Sequence, residues 1–335
     1  MASAMRNLGV ILSVVLAALA AHGQDGPEAP VAPKLLIAWS AYSPRPKHPT
    51  IYFYHHDGVE KGKTIGSIKV EGKRSDYRPS LTHDGKLCAF ASEEENETSR
   101  IFLWDLAAKQ LTELANINAS KNAQLDAAIS GKGDLIAFSA WSHPEGEGRW
   151  DVMLYDLRGH KLFSAAGLNQ QKYDERQPSL AANGLLACVT NQPGGPGNSD
   201  ITFYNTAASR PLPDDKLNSP HLEGEPSLSA NGRLVAFVSD RPEGEGGRDI
   251  YLYDREERRL LPLPGLNSGG HEQSPSLSPS GRYLAFVSER IRGEGERDIY
   301  LYDRTTGKLL PTPKLNGKHE DLDPCVIEFD GKPAP

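Results

Sequence analysis

Five carboxylates and three imidazoles recur at matched places in this 335-residue chain, and they are the side chains whose types and spacing best suit chemistry. Asp76, Glu175, Glu223, Glu272 and Asp321 each stand three residues ahead of a Pro that opens a repeated segment, and Gln124 takes the same place in one further copy. Carboxylates gathered at one opening raise one another's pKa unless cations offset them. Such a ring would attract a cationic group of a protein or peptide, or would be neutralised internally by backbone N–H groups or by arginines such as Arg248 and Arg297. His221, His271 and His319 lie beside three of the acids in consecutive copies. Imidazole with carboxylate is a donor set for a divalent transition metal, the one cofactor this sequence suggests. The same histidines also read as polar loop residues. No GxSxG, HExxH, paired CxxC or phosphate-loop signature occurs, so no catalytic residue is assigned and a non-catalytic role is favoured.

The elements that must position these groups form a repeat. Copies begin at Pro79, Ala127, Pro178, Pro226, Pro275 and Pro324, a period near 49 residues. A small residue recurs as Ala38, Ala89, Ala137, Ala187, Ala236 and Ala285, followed by Trp39, Phe90, Phe138, Cys188, Phe237 and Phe286. A second apolar run starts at Ile51, Ile101, Val152, Ile201, Ile250 and Ile299. In the copy of residues 275–313 four strands are expected: A from Pro275 to Ser278, B from Tyr283 to Ser288, C from Asp298 to Tyr302 and D from Lys308 to Pro311. Gly85, Gly133, Gly184, Gly232 and Gly281 mark the tight A-to-B turns, where positive φ favours Gly. The B-to-C connections are longer and polar, and a repeated Asn (118, 169, 218, 267, 316) in the D-to-A connection reads as an Asx-type turn residue.

Six such copies imply an all-β, six-bladed β-propeller of four-stranded antiparallel blades, since each sheet buries both faces only between neighbours. The N-terminal copy lacks strand A, and residues 323–329 supply a strand A with nothing after it. One composite blade from both termini is therefore expected to close the ring. Strand A is innermost in a propeller, which would place the five acids around the mouth of the central channel.

Residues 1–23 read as a secretory signal peptide, with Arg6, the 14-residue apolar run Leu8 to Ala21 and small residues at Ala21-His22-Gly23. That run is short against the roughly 20 residues a spanning helix needs. Membrane contact is expected only through an uncleaved leader. Residues 24–33 form a Pro-rich tether, and 34–331 the propeller. The whole chain carries 37 Lys and Arg against 44 Asp and Glu, a poor balance for nucleic acid. Cys88, Cys188 and Cys325, an odd number on expected strands, read as free thiols.

The pattern PSLSxxGRLxAFVS, a polar loop, then RDIYLYDR resembles the repeat of the TolB-type six-bladed propeller across nearly all of residues 34–331. It differs from the WD-repeat family, because Trp104-Asp105 is isolated where other copies have Tyr-Asp. The resemblance does not extend to an N-terminal α/β domain. It implies a periplasmic or secreted platform for a protein or peptide partner, and the chain is expected to be monomeric. Related repeats also occur in prolyl oligopeptidases and in a metal-dependent lyase of pectate oligomers, so a metal-dependent enzyme or a propeller binding a polymer or glycan is the alternative.

Overall fold

A computed structural model describes residues 34–329, apart from 43–47, 70–72, 96, 113, 115–116, 119–121, 145, 214–215 and 292. The expected leader, tether and final Asp330-Gly331 turn lie outside the described residues. Among the described residues there is no helix, and 24 strands form six four-stranded antiparallel sheets. These are the blades of a six-bladed propeller. Blade 1 is β24 (Asp321–Phe329), β1 (Lys34–Ala41), β2 (Thr50–His56) and β3 (Gly62–Ser67). Blade 2 is β4 (Arg74–Leu81), β5 (Leu87–Glu94), β6 (Arg100–Asp105) and β7 (Gln110–Thr112); blade 3 is β8 (Gln124–Ile129), β9 (Leu135–Trp141), β10 (Trp150–Asp156) and β11 (Lys161–Ser164). Blade 4 is β12 (Glu175–Leu180), β13 (Leu185–Thr190), β14 (Asp200–Asn205) and β15 (Arg210–Pro211). Blade 5 is β16 (Glu223–Leu228), β17 (Leu234–Ser239), β18 (Asp249–Asp254) and β19 (Arg259–Leu261); blade 6 is β20 (Glu272–Leu277), β21 (Tyr283–Ser288), β22 (Asp298–Asp303) and β23 (Lys308–Leu310).

The termini meet as the sequence requires, with β24 pairing antiparallel to β1 from Lys34↔Phe329 to Ala41↔Asp321. The repeated Ala positions, from Ala38 to Ala285, are fully buried, and so are the aromatic residues that follow them in blades 2, 3, 5 and 6. They sit in apolar clusters that alternate with the sheets, such as the one joining Ala236 and Val238 of blade 5 to Leu277, Leu284 and Phe286 of blade 6. Each large apolar side chain of these clusters removed from water contributes about 1.5–3 kcal/mol, which only a neighbouring blade can supply.

The inner strands start earlier than the sequence predicts, at Glu272 rather than Pro275 in blade 6. The cause is a β-bulge in every blade: in blade 2 the register passes from Tyr77↔Ala91 to Ser80↔Ala89, spending one extra residue on the inner strand. Equivalent shifts occur in the other five inner strands. The proline that follows the bulge in every blade but blade 3, where Ala127 stands, has no N–H to give to the ladder, so read locally it looks like a strand start. The bulged residues Arg78, Asp126, Gln177, Glu225, Ser274 and Asp323 all have φ between 49° and 57°.

The repeated Asn makes a longer reach than the Asx turn expected of it. Asn169 Oδ1 accepts from the Val152 amide at 3.0 Å and its Nδ2 donates to the Val152 carbonyl at 2.9 Å, clamping the start of strand C. Asn118, Asn218, Asn267 and Asn316 do the same to Ile101, Ile201, Ile250 and Ile299. The Gly-rich B-to-C loops wrap a buried Asp at the start of strand C: the Gly246 and Gly295 amides donate to Asp249 and Asp298. A Cβ on Gly244 or Gly293 would lie 1.9 Å from that carboxylate.

Candidate functional site

The inner strands run from the face carrying the D-to-A and B-to-C loops to the face carrying the A-to-B hairpins. The acids singled out by sequence lie at or near the start of these strands, but the five residues are at most 4% exposed and do not stand free at a channel mouth. Each ties its own blade together. Glu223 accepts from Ser219 Oγ, Ser239 Oγ and Arg241 Nη2, the last at 2.7 Å. Glu272 accepts from Ser268 and Ser288 Oγ, both at 2.6 Å. Asp76 takes Ser92 Oγ, Glu175 takes Thr190 Oγ1 and the Gln170 amide, and Asp321 takes Trp39 Nε1 and the Gly317 amide. The partnering arginines are Arg74, Arg241 and Arg290 rather than Arg248 and Arg297. Gln124 fills the same place with an amide, donating to the Ile117 carbonyl at 2.7 Å. Burial pushes the Glu175 carboxyl up to about 7 and the Asp321 carboxyl up to about 6, against the pull of those donors.

His271 and His319 are exposed on their loops, and His221 is half-buried with Nδ1 3.9 Å from Asp240. Among the described residues no three His, Cys, Asp or Glu side chains come together as a ligand group, so the residues present do not fit a metal centre built on these histidines. All three cysteines are free thiols.

The groups that converge on the channel are the six bulged residues, which sequence reading passed over. The bulge turns each toward the axis, where together they form a closed belt. Arg78 pairs with Asp126 and lies 3.8 Å from Asp323. Ser139 Oγ donates to Asp126 at 2.8 Å and accepts from the Gln177 amide at 3.1 Å. Gln177 Oε1 accepts from the Glu225 amide, Glu225 from the Ser274 amide, and Ser274 Oγ donates to Asp323. Thus the belt runs through all six blades and returns to Arg78. Asp126 beside it, then Asp323 and Glu225, hold the Arg78 guanidinium more firmly protonated. Burial raises the pKa of Glu225 and Asp323, with Arg78 pulling the other way.

On the hairpin side the belt floors a cavity of about 180 Å³ lined by the prolines and leucines of the inner strands. On the loop side it floors a funnel with two lobes of about 320 and 380 Å³. The first lobe carries Trp150, Arg176, Leu222 and Arg248; the second carries Tyr77, Gln273, Arg297 and Leu322. Arg297 is paired with Glu320 at 2.7 Å, whereas neither Arg176 nor Arg248 has an ion-pair partner among the described residues. The one sequence signal for the belt is its place immediately before Pro79, Pro178, Pro226, Pro275 and Pro324.

The six sheets, the composite closing blade and the belted channel define a six-bladed β-propeller. Its fold is the TolB type. The chain is similar to TolB from Acinetobacter baumannii (TM-score 0.64, 19% identity, covering 98% of this chain and 74% of that one). It is similar also to a structure described as TolB from Agrobacterium tumefaciens (TM-score 0.55, 14% identity, 89% and 99%). A third similar structure is an oligogalacturonate lyase in complex with manganese (TM-score 0.52, 11% identity, 82% and 77%). No family model and no curated protein matches the sequence.

Proposed function

We propose that this propeller is a non-catalytic platform that binds a protein or peptide in the funnel on its loop face, in a periplasmic or secreted setting. The observation that carries the reading is the belt: six polar or charged side chains of five types, each turned to the channel by a bulge at positive φ. Such backbone is costly for non-Gly residues and concentrates where a site needs it. Above the belt, Tyr77, Trp150, Arg176 and Arg248 supply the aromatic and guanidinium groups that dominate protein-binding energetics. The TolB-type fold supports the same reading, because the resemblance implies a protein-binding role and an envelope location. No described helix is long and apolar enough to cross a membrane.

A photo-reactive amino acid placed at Gln273, on the funnel wall, tests this against one at Lys132, on an A-to-B hairpin. Cross-linking in the native host should give a discrete protein adduct from position 273. An adduct from position 132 alone would move the binding surface to the opposite face.

A further inference from the structure

We infer that the funnel takes an acidic segment of its partner, with side-chain or terminal carboxylates seated at Arg176 and Arg248 beside Trp150; this rests on the funnel being a protein-binding site. The sign of the ligand follows from which charges are already answered. Each carboxylate of the floor has donors within the belt: Arg78 and Ser139 for Asp126, Arg78 and Ser274 for Asp323, and the Ser274 amide for Glu225. The cations of the wall are less fully answered, although Arg248 lies near enough to Glu225 to pull its pKa down. Arg176 and Arg248 are exposed, line one lobe, and have no ion-pair partner among the described residues. With Arg78, three guanidinium groups face two carboxylates, Asp126 and Glu225, around that lobe. A guanidinium fork matches a carboxylate bidentately, so an acidic side chain or a chain terminus is the natural occupant. The net negative charge of the whole chain opposes this only weakly, because exposed charges more than about 8–10 Å away are largely screened.

The aromatic side of the lobe favours a peptide over an acidic glycan. Trp150 meets Trp141 edge to face at 69°, with ring centroids 5.3 Å apart. Arg149 lies over the Trp141 ring at 5.7 Å. Trp141 and Trp150 therefore present no pair of parallel indole faces between which a sugar ring could be sandwiched. An extended peptide needs only a wedge of indole and a pair of cations.

Selection of a random dodecapeptide display library on the full chain tests the inference. Binders competing at the funnel should be enriched in Asp and Glu. The affinity of the best should fall tenfold or more in Arg176→Gln/Arg248→Gln, and also in the parent as salt rises from about 50 to 300 mM. Both arginines are exposed, so the variant should keep the parent's denaturation midpoint. Funnel binders that are neutral or basic, or that ignore the double substitution, would overturn the acidic ligand while leaving the platform intact. Failure to select any funnel binder would remove the platform and the inference together. An oligouronate that binds through the same arginines and is not displaced by the selected peptides would replace the peptide with a glycan.

Discussion

The thiol of Cys325 accepts a hydrogen bond from the Leu81 amide at 3.3 Å, joining the last inner strand of the ring to the first. It repeats a contact made elsewhere by serine. Ser80, Ser179, Ser227 and Ser276 each accept from an inner-strand amide of the next blade, those of Ile129, Leu228, Leu277 and Val326, at 2.9–3.0 Å. Position 128 is the exception, because Ala offers no acceptor to blade 4.

Cys325→Ala should therefore loosen ring closure by about 1 kcal/mol, the lower end of the cost of stranding a backbone donor, while Cys325→Ser should be neutral or stabilising. Ala128→Ser should add the missing link and raise stability by about 0.5–1.5 kcal/mol. Urea midpoints decide both; a destabilising Ala128→Ser would show that blades 3 and 4 meet differently from the rest.

Deleting residues 322–335 removes nearly all of β24, together with Asp323, Cys325 and Val326. It leaves Leu35 and Ile37 of one cluster, and Leu36 and Phe90 of another, without their cover. The loss should be several kcal/mol, with a monomer giving way to aggregates at the exposed edge of β1. An equally stable monomer on calorimetry and light scattering would contradict closure by the composite blade.

The repeated strands were legible because their signals are local: a Gly turn, an Ala before a large side chain, an apolar run. The belt was not legible, since Arg78, Asp126, Gln177, Glu225, Ser274 and Asp323 share no chemistry that periodicity can register. What they share is a backbone irregularity. The acids were legible as a repeat but not in orientation, because an extra residue in a strand changes which side chains point inward. Likewise the Asn ladder was visible, but its partner lies 17 residues back in the chain, on a strand that no turn rule reaches.

Arg78 is the only cation of the belt and faces Asp126 and Asp323 with 38% of its side chain open to the channel. Arg78→Gln should cost about 1–3 kcal/mol, less than a fully buried pair because solvent screens part of the interaction. Adding Asp126→Asn should recover part of that loss. Strict additivity in the double-mutant cycle would mean the two side chains do not interact.

Burial holds the Glu175 carboxyl at about 7 in the fold, above its ordinary 4.5, so the native state binds more protons than the unfolded chain between those values. Its contribution to stability is greatest below pH 4.5 and is lost as pH rises through 7. Asp321, raised to about 6 from 3.8 chiefly by burial, acts in the same direction. Glu175→Gln, which imitates the natural Gln124, should flatten the decline between pH 5 and 8 and leave the variant the more stable at pH 8. Parallel pH profiles of the urea midpoint for parent and variant would show that Glu175 titrates normally.

The most direct test of a binding funnel is hydrogen exchange on the full chain with and without the partner captured by cross-linking. Slowed exchange should gather at residues 77–78, 125–126, 176–177, 224–225, 273–274 and 322–323 and in the B-to-C loops, with the A-to-B hairpins unchanged. Protection confined to those hairpins, at residues 82–86 and 130–134 and their counterparts, would contradict the account.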